Sequence, residues 1–423
     1  MFTTTAEDCL KLAVWAPIHV KENAKLPVIL FIPGGAFEIG GLNVPYQLPA
    51  GWVERTQQHI AIVANYRLDI MGFPNAAGLE DQNPGLLDQR RALEWVYDNI
   101  AAFGGDRDRI TLWGQSAGAI SVDMQLFAFP EEPLITGAFV QSGTAIGSTK
   151  PPDHEHRNFT FVAKKLGCDF PRDAAAELEC MQTLPVVHIL NFIGNYSDHA
   201  MQPPLSFRPT PDERTVWLNY TKRAAEGHMA RVPAIVSTTT NEAAFFGYPS
   251  DLSVGPNQEV VHQATVASFL CPAVSLMNAR AGLGLRTYRY QYGGNFSNVA
   301  PLPWLGAYHA SDIPMFMGSY ELNGPATKFE TRVAHAMQDF LYAFMVDTRN
   351  GLKHKGWPPH DGTVKQGGRI MRFGIDGEVD LVVDGRKVDK ECVSRAQYNL
   401  EEGGAVPPRQ QGAQIPVTFT GEL

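Results

Sequence analysis

Ser116 sits at the centre of G-Q-S-A-G, Gly114 to Gly118, between a β-type run, Ile110 to Trp113, and a small-residue segment able to start a helix. A serine on so sharp a strand-to-helix turn projects its hydroxyl clear of the backbone. Close glycines let both chain and substrate approach. The chemistry on offer is nucleophilic attack on an acyl carbon. A bare G-x-S-x-G also arises as a plain turn, and the flanking strand and helix signals are what favour catalysis.

A serine hydroxyl is a weak nucleophile at neutral pH. It needs a base, and the base needs a carboxylate that fixes its tautomer and favours its protonated form. The chain has 12 histidines, so most serve other ends. His309 lies in G-A-Y-H-A-S-D, a loop after the predicted strand Thr287 to Tyr292. Glu242 follows the run Ala234 to Thr240, just past another predicted strand end. From spacing alone, each is as compatible with an ordinary surface residue as with catalysis. Developing negative charge would need backbone N–H donors. Ala117, the residue after the serine, offers one. F-I-P-G-G-A-F, after the predicted strand Val28 to Ile32, offers Gly35 and Ala36. That run read alone is a turn.

These residues need a frame. Predicted strands cover Leu10 to Trp15, Val28 to Ile32, Ile60 to Asn65, Ile110 to Trp113 and Phe139 to Gln141. Pro233 to Ser237, Thr287 to Tyr292 and Ile370 to Phe373 continue the set. Gly85 to Ile100, Arg172 to Thr183 and Lys328 to Phe344 carry apolar residues at helical spacing. Such alternation predicts an α/β fold, a mostly parallel sheet with helices on both faces. Strand signal fades between Pro151 and Arg231. The helices there, and Lys328 to Phe344, are expected over the carboxyl ends of the strands, where ligands bind in open α/β sheets. Cap elements fall within 151–231 and 245–345 of a single domain, 1–423, with a loose tail over 403–423.

Composition narrows the classes. At 423 residues and 44% hydrophobic content the chain can bury a large core. The formal charge of −9, without a Lys/Arg block, disfavours nucleic acid as a partner. No apolar run reads as long enough to span a membrane, and the N-terminal residues lack signal-peptide character. No metal pattern is present: His154 and His156 read as solvated surface. No cofactor is expected.

With these motifs in hand, the sequence resembles the type-B carboxylesterase/lipase family, the cholinesterase-like α/β hydrolases, over nearly its whole length. E-D-C-L-K-L-A-V-W-A-P, Glu7 to Pro17, resembles one family signature. P-G-G-A-F resembles the glycine loop, and N-Y-R-L-D-I-M-G-F with the block from Asn83 to Asp106 resembles the central region. G-Q-S-A-G, T-T-T-N-E-A-A-F-F and G-A-Y-H-A-S-D-I-P-M-F-M-G resemble the serine, acid and histidine loops. The style of the second half is closest to fungal members. The resemblance implies an α/β-hydrolase fold with a helical cap and a serine hydrolase that cleaves carboxylic esters through an acyl-enzyme. Ser116 would be nucleophile, Glu242 acid and His309 base, with Gly35, Ala36 and Ala117 as the oxyanion hole. The substrate would be a small-molecule or lipid ester. A non-catalytic binding protein on this fold, or an inactive truncated remnant, is the competing reading.

This chain departs from the family pattern in several places. Pro33 and Ala36 alter the glycine loop. Gln115 replaces a common glutamate and removes a charge, which disfavours a cationic leaving group. Asp312 resembles a second family acid and otherwise reads as a helix N-cap or a turn carboxylate. The resemblance implies disulfides Cys168–Cys180 and Cys271–Cys392, and leaves Cys9 without its usual partner upstream. The expectation is a chain lacking the family's N-terminal portion, with an open acyl site, no interfacial activation and a sheet edge prone to association. Secretion follows from the resemblance, and sequons stand at Asn158, Asn195, Asn219 and Asn295. Phe37, Phe245, Phe246, Trp304 and Tyr308 flank the motif loops and are candidates to line a pocket, or else core filler. Arg67 and Asp88 read as a structural ion pair. Ser142 reads as structural, behind the site.

Overall fold

The computed structural model describes residues 6–146, 153, 155–246, 252–360 and 367–394. His154 and the tail 403–423 lie outside the described residues. Nine strands form one sheet: β1 (Leu12–Trp15), β2 (Leu26–Ile32), β3 (Ile60–Ala64), β4 (Gly105–Gln115), β5 (Gly137–Gln141), β6 (Ala234–Thr239), β7 (Thr287–Tyr292), β8 (Arg369–Ile375) and β9 (Glu378–Asp384). Their spatial order is β1-β3-β2-β4-β5-β6-β7-β8-β9. Only the edge pairs, β1 with β3 and β8 with β9, are antiparallel. The inner strands run parallel, so their carboxyl ends and the loops that follow share one rim.

Strand alternation splits the core into two layers. Val28, Leu30, Ile32, Ile62, Ile110 and Leu112 pack with the helices Pro84–Asn99, Ala117–Ala128 and Cys271–Gly282 through Leu93, Val122 and Leu276. Ile29, Phe31, Val63, Trp113 and Phe139 face the other way, against Val333, Met337, Leu341 and Phe344 of the helix Lys328–Val346. Each such aliphatic or aromatic side chain contributes about 1.5–3 kcal/mol on burial.

That helix corrects an expectation. Lys328–Val346 does not roof the rim; its apolar stripe lies flat on the sheet. Periodicity announces that a helix buries one face but does not say against what. The helices Arg157–Lys165, Ala174–Thr183 and Val186–Asp198 instead share a small core of their own around Phe159, Val162, Met181 and Ile189. This core meets Ile70 and Ala76, in the segment after β3. Arg208 pairs with Glu38 of the loop after β2 at 3.1 Å.

Both disulfides are formed, Cys168–Cys180 and Cys271–Cys392, and Cys9 is a free, partly exposed thiol. Arg67 grips Asp88 with two side-chain bonds of 2.7 Å, a structural ion pair. Strand β9, E-V-D-L-V-V-D, escaped the sequence analysis because an edge strand with charges on its open side lacks a clean apolar run. One continuous helical stretch, Gln258–Gly282, is long and apolar enough to cross a membrane by composition. More than half of it is buried inside the protein, with Leu276 and Met277 in the core.

Candidate active site

Ser116 occupies the turn between β4 and the helix Ala117–Ala128, at φ 56° and ψ −123°. A side chain with a Cβ rarely adopts this backbone, which costs on the order of 1–3 kcal/mol. Packing enforces it. A Cβ on Gly118 would lie 2.0 Å from the Ile32 carbonyl oxygen, so the helix can seat against β2 only with glycine there. The serine N–H donates to Gln141 O at 2.9 Å, which pins the turn to β5.

The glycine loop reaches the same place. A Cβ on Gly34 would lie 3.0 Å from Ser116 Cβ and 2.5 Å from Gln115 O. Ala36 and Phe37 are both left-handed, at φ 57° and 66°, and Gly35 has φ 125°. The N–H groups of Gly35 and Ala36 have no hydrogen-bond acceptor among the described residues. Ala117 opens its helix, where first-turn N–H groups lack intrahelical acceptors.

Glu242 begins a short helical turn, Glu242–Phe246, after β6, and is fully buried. Its Oε2 accepts His309 Nδ1–H at 2.6 Å. Its Oε1 accepts the Ser142 hydroxyl and the Thr239 N–H, each at 2.7 Å. Three donors on one carboxylate offset the cost of burying its charge. With Nδ1 carrying the hydrogen, Nε2 keeps a lone pair. That lone pair accepts from Gln115 Nε2 at 3.1 Å. Among the described residues no hydrogen bond yet joins the ring to Ser116. Gln115, noticed in the sequence only for the charge it lacks, therefore touches the imidazole directly.

Asn241 ties the acid and histidine loops together. Its N–H donates to Ala307 O at 3.0 Å, and its Nδ2 donates to Trp304 O and Leu305 O at 3.2 and 2.8 Å. The N-E pair in the sequence was its only signal, since the acceptors lie more than sixty residues away. Asp312 is buried and accepts the Tyr290 hydroxyl at 2.8 Å. Its side chain does not cap the helix Ile313–Met317 that it precedes, contrary to the N-cap reading. Burial pushes its carboxyl up to about 6.

The aromatic candidates separate. Phe37 is core, buried and edge-on to Phe73. Trp304 packs in a satellite cluster with Leu305 and Val261, and its ring N–H donates to Leu252 O. Tyr308 belongs to the same cluster, donates to Val299 O and stacks on Phe245. Phe246 lies against the imidazole, at 5.2 Å. Phe269, which the sequence analysis did not single out, lies closer still, at 4.9 Å. His156, read as solvated surface, is half-buried, with its Nδ1 2.9 Å from the Asn75 carbonyl oxygen.

The carboxylesterase family model matches residues 2–254. The chain is 39% identical to secreted lipase 5 of Gibberella zeae over 93% of its own length and 77% of that protein's. It is 43% identical to a chlorogenic acid esterase of Aspergillus niger over 92% of itself and 77% of that protein. The chain belongs to the carboxylesterase family. It is a carboxylic ester hydrolase that works through an acyl-enzyme, as this family does. Its fold is that of PNB esterase, with a TM-score of 0.75 over 91% of this chain and 85% of that one at 24% identity.

Proposed function

We propose that Ser116 is the nucleophile of this hydrolysis, His309 its general base and Glu242 the acid that orients the imidazole. One observation carries the reading: the buried 2.6 Å contact of Glu242 with His309 stands at the rim onto which the strained Ser116 opens. Ser116 Oγ attacks the ester carbonyl carbon as His309 Nε2 takes its proton. The N–H groups of Gly35, Ala36 and Ala117 receive the charge that develops on the carbonyl oxygen. The imidazolium then protonates the departing alcohol, and water repeats both steps on the acyl-enzyme. For the first step the imidazole exchanges the Gln115 N–H for the serine hydroxyl. Catalytic hydrogen bonds often tighten only when substrate is bound.

Residues 1–423 act as one catalytic domain, with the helices between Arg157 and Asp198 as its cap. The protein works outside the cell. Two disulfides and a relative named as a secreted lipase support that address. Of the four sequons, Asn195 and Asn295 are exposed and suited to glycans. Asn158 and Asn219 have their side-chain amides engaged, with Ser206 O and with the Lys222 N–H.

The test is incubation with a fluorophosphonate and with p-nitrophenyl esters of graded chain length, beside Ser116→Ala. Wild type should label and turn over, and the variant should do neither. A folded wild type that does neither leaves the binding-protein reading.

A further inference from the structure

We infer that this enzyme prefers esters carrying a flat aromatic group over esters of saturated chains, because Phe246 and Phe269 form an aromatic clamp on the catalytic imidazole. The inference rests on the reading of Ser116 and His309 as the reacting pair. The two rings lie 5.2 and 4.9 Å from the His309 ring and 5.9 Å from one another, nearly parallel at 21°. Phe245 meets Phe246 edge-on at 5.7 Å and stacks on Tyr308 at 6.0 Å, so the clamp is the inner end of a longer array. Phe246 remains 38% exposed and Phe269 is half-buried. These rings still have face or edge to offer a ligand.

The backbone supplies a second, independent sign. Phe269 lies in a π-helical turn, Val266–Leu270, between the helices Gln258–Thr265 and Cys271–Gly282. Such turns are rare, carry poorer hydrogen bonding than an α-helix, and re-aim the side chains they hold; they recur at functional sites. Both ends of this turn are fixed. Thr265 Oγ1 accepts the Ala243 N–H at 3.0 Å, tying the turn to the segment that carries Glu242 and Phe246. Cys271 is bonded to Cys392. The chain thus holds one phenyl ring against its base at a turn that precedes Pro272, whose missing N–H interrupts the α-helical ladder there.

An ester undergoing attack must lie beside His309, since the ring passes its proton to the leaving oxygen. A planar group on either side of that ester meets the clamp. Offset or edge-on ring pairs gain about 0.5–1.5 kcal/mol beyond their area, which is about two- to tenfold in kcat/KM. A saturated chain of equal size gains only the area term.

Two ester pairs, each used below its solubility limit, test this and locate the aromatic group. Methyl cinnamate against methyl octanoate probes the acyl side, and benzyl acetate against hexyl acetate probes the alcohol side. Wild type should favour the aromatic member of at least one pair by about threefold or more. Phe246→Leu and Phe269→Leu should each lower that ratio, and Phe269→Tyr should restore it. Fluorophosphonate labelling of every variant separates the two readings. Labelling with no aromatic preference in either pair, or with ratios that both leucine variants leave unchanged, overturns the clamp and spares the triad. Loss of labelling in folded wild type overturns the assignment beneath it.

Discussion

Ser142 gives its hydroxyl hydrogen to Glu242 Oε1 across 2.7 Å, while His309 holds the other oxygen of the same carboxylate. The sheet register makes this possible. Gln115 of β4 pairs with Gln141 of β5, and Gln141 with Ser237 of β6, so the residue after β5 lands beneath the loop after β6. If Glu242 is the proposed acid, Ser142 is a positioning residue rather than bystanding structure. A hydrogen bond to a charged group is worth about 1.5–3 kcal/mol. Ser142→Ala should lower kcat about tenfold or more and leave KM within about twofold, read by steady-state hydrolysis of a p-nitrophenyl ester. An unchanged kcat would show that the Thr239 N–H suffices to hold the carboxylate.

Asn241 tests whether the loops that carry Glu242 and His309 need to be stapled. Its amide feeds the carbonyls of Trp304 and Leu305 and so fixes the spacing of Glu242 and His309. Asn241→Ala should lower the melting temperature and slow fluorophosphonate labelling. Asn241→Asp should do more harm at neutral pH, because a carboxylate has no hydrogen to give and would face two carbonyl oxygens. Equal labelling rates for all three proteins would show that the β-bridge of Asn241 with Tyr308 holds the loops unaided.

Legibility in the sequence follows the range of the interaction. The Ser116 turn could be read because strand, turn and serine are contiguous, and a sharp turn needs its glycines in place. Glu242 and His309 could not be chosen from spacing; it took the resemblance of whole loops to single them out. Asn241, Ser142 and Phe269 act across 64, 100 and 40 residues of chain, which no local pattern encodes. The opposite error also has a physical origin. Phe37 flanks the glycine loop in sequence, yet its left-handed backbone turns it into the core against Phe73. Lys328–Val346 displays its stripe plainly, but only the sheet decides which face it covers.

The bond between Cys271 and Cys392 spans 121 residues and joins the residue that follows the π-helical turn to the helix Arg386–Ser394. Val266, Leu270 and Val388 pack around it. Closing a loop of that length is worth on the order of 4–5 kcal/mol in the chain-entropy model. Cys392→Ser should therefore lower the melting temperature by several degrees. The aromatic-to-aliphatic selectivity ratio should fall as well, since Phe269 stands two residues before Cys271. A variant that melts earlier but keeps its selectivity would show that Thr265 alone orients the turn.

Asp312 lets the stability profile report on the ground beneath the site. It is fully buried, with the Tyr290 hydroxyl as a donor and the Gln141 side chain beside it, and burial pushes its carboxyl from the ordinary 3.8 to about 6. The folded chain therefore keeps a proton between those values that the unfolded chain has released. Its stabilising share is complete below about 4 and is lost as the pH rises through about 6. Fully ionised, the group costs the folded state on the order of 3 kcal/mol. Asp69 and Asp123, raised by burial to about 6 and about 7, act with the same sign and are common to wild type and variant. The measurement is therefore a difference. Asp312→Asn can still accept from Tyr290 but never ionises. Its melting temperature relative to wild type should climb between pH 4.5 and pH 7.5 and level off above. A difference that stays flat, or that falls, would mean Asp312 remains ionised in the fold, with the Tyr290 hydroxyl offsetting its burial.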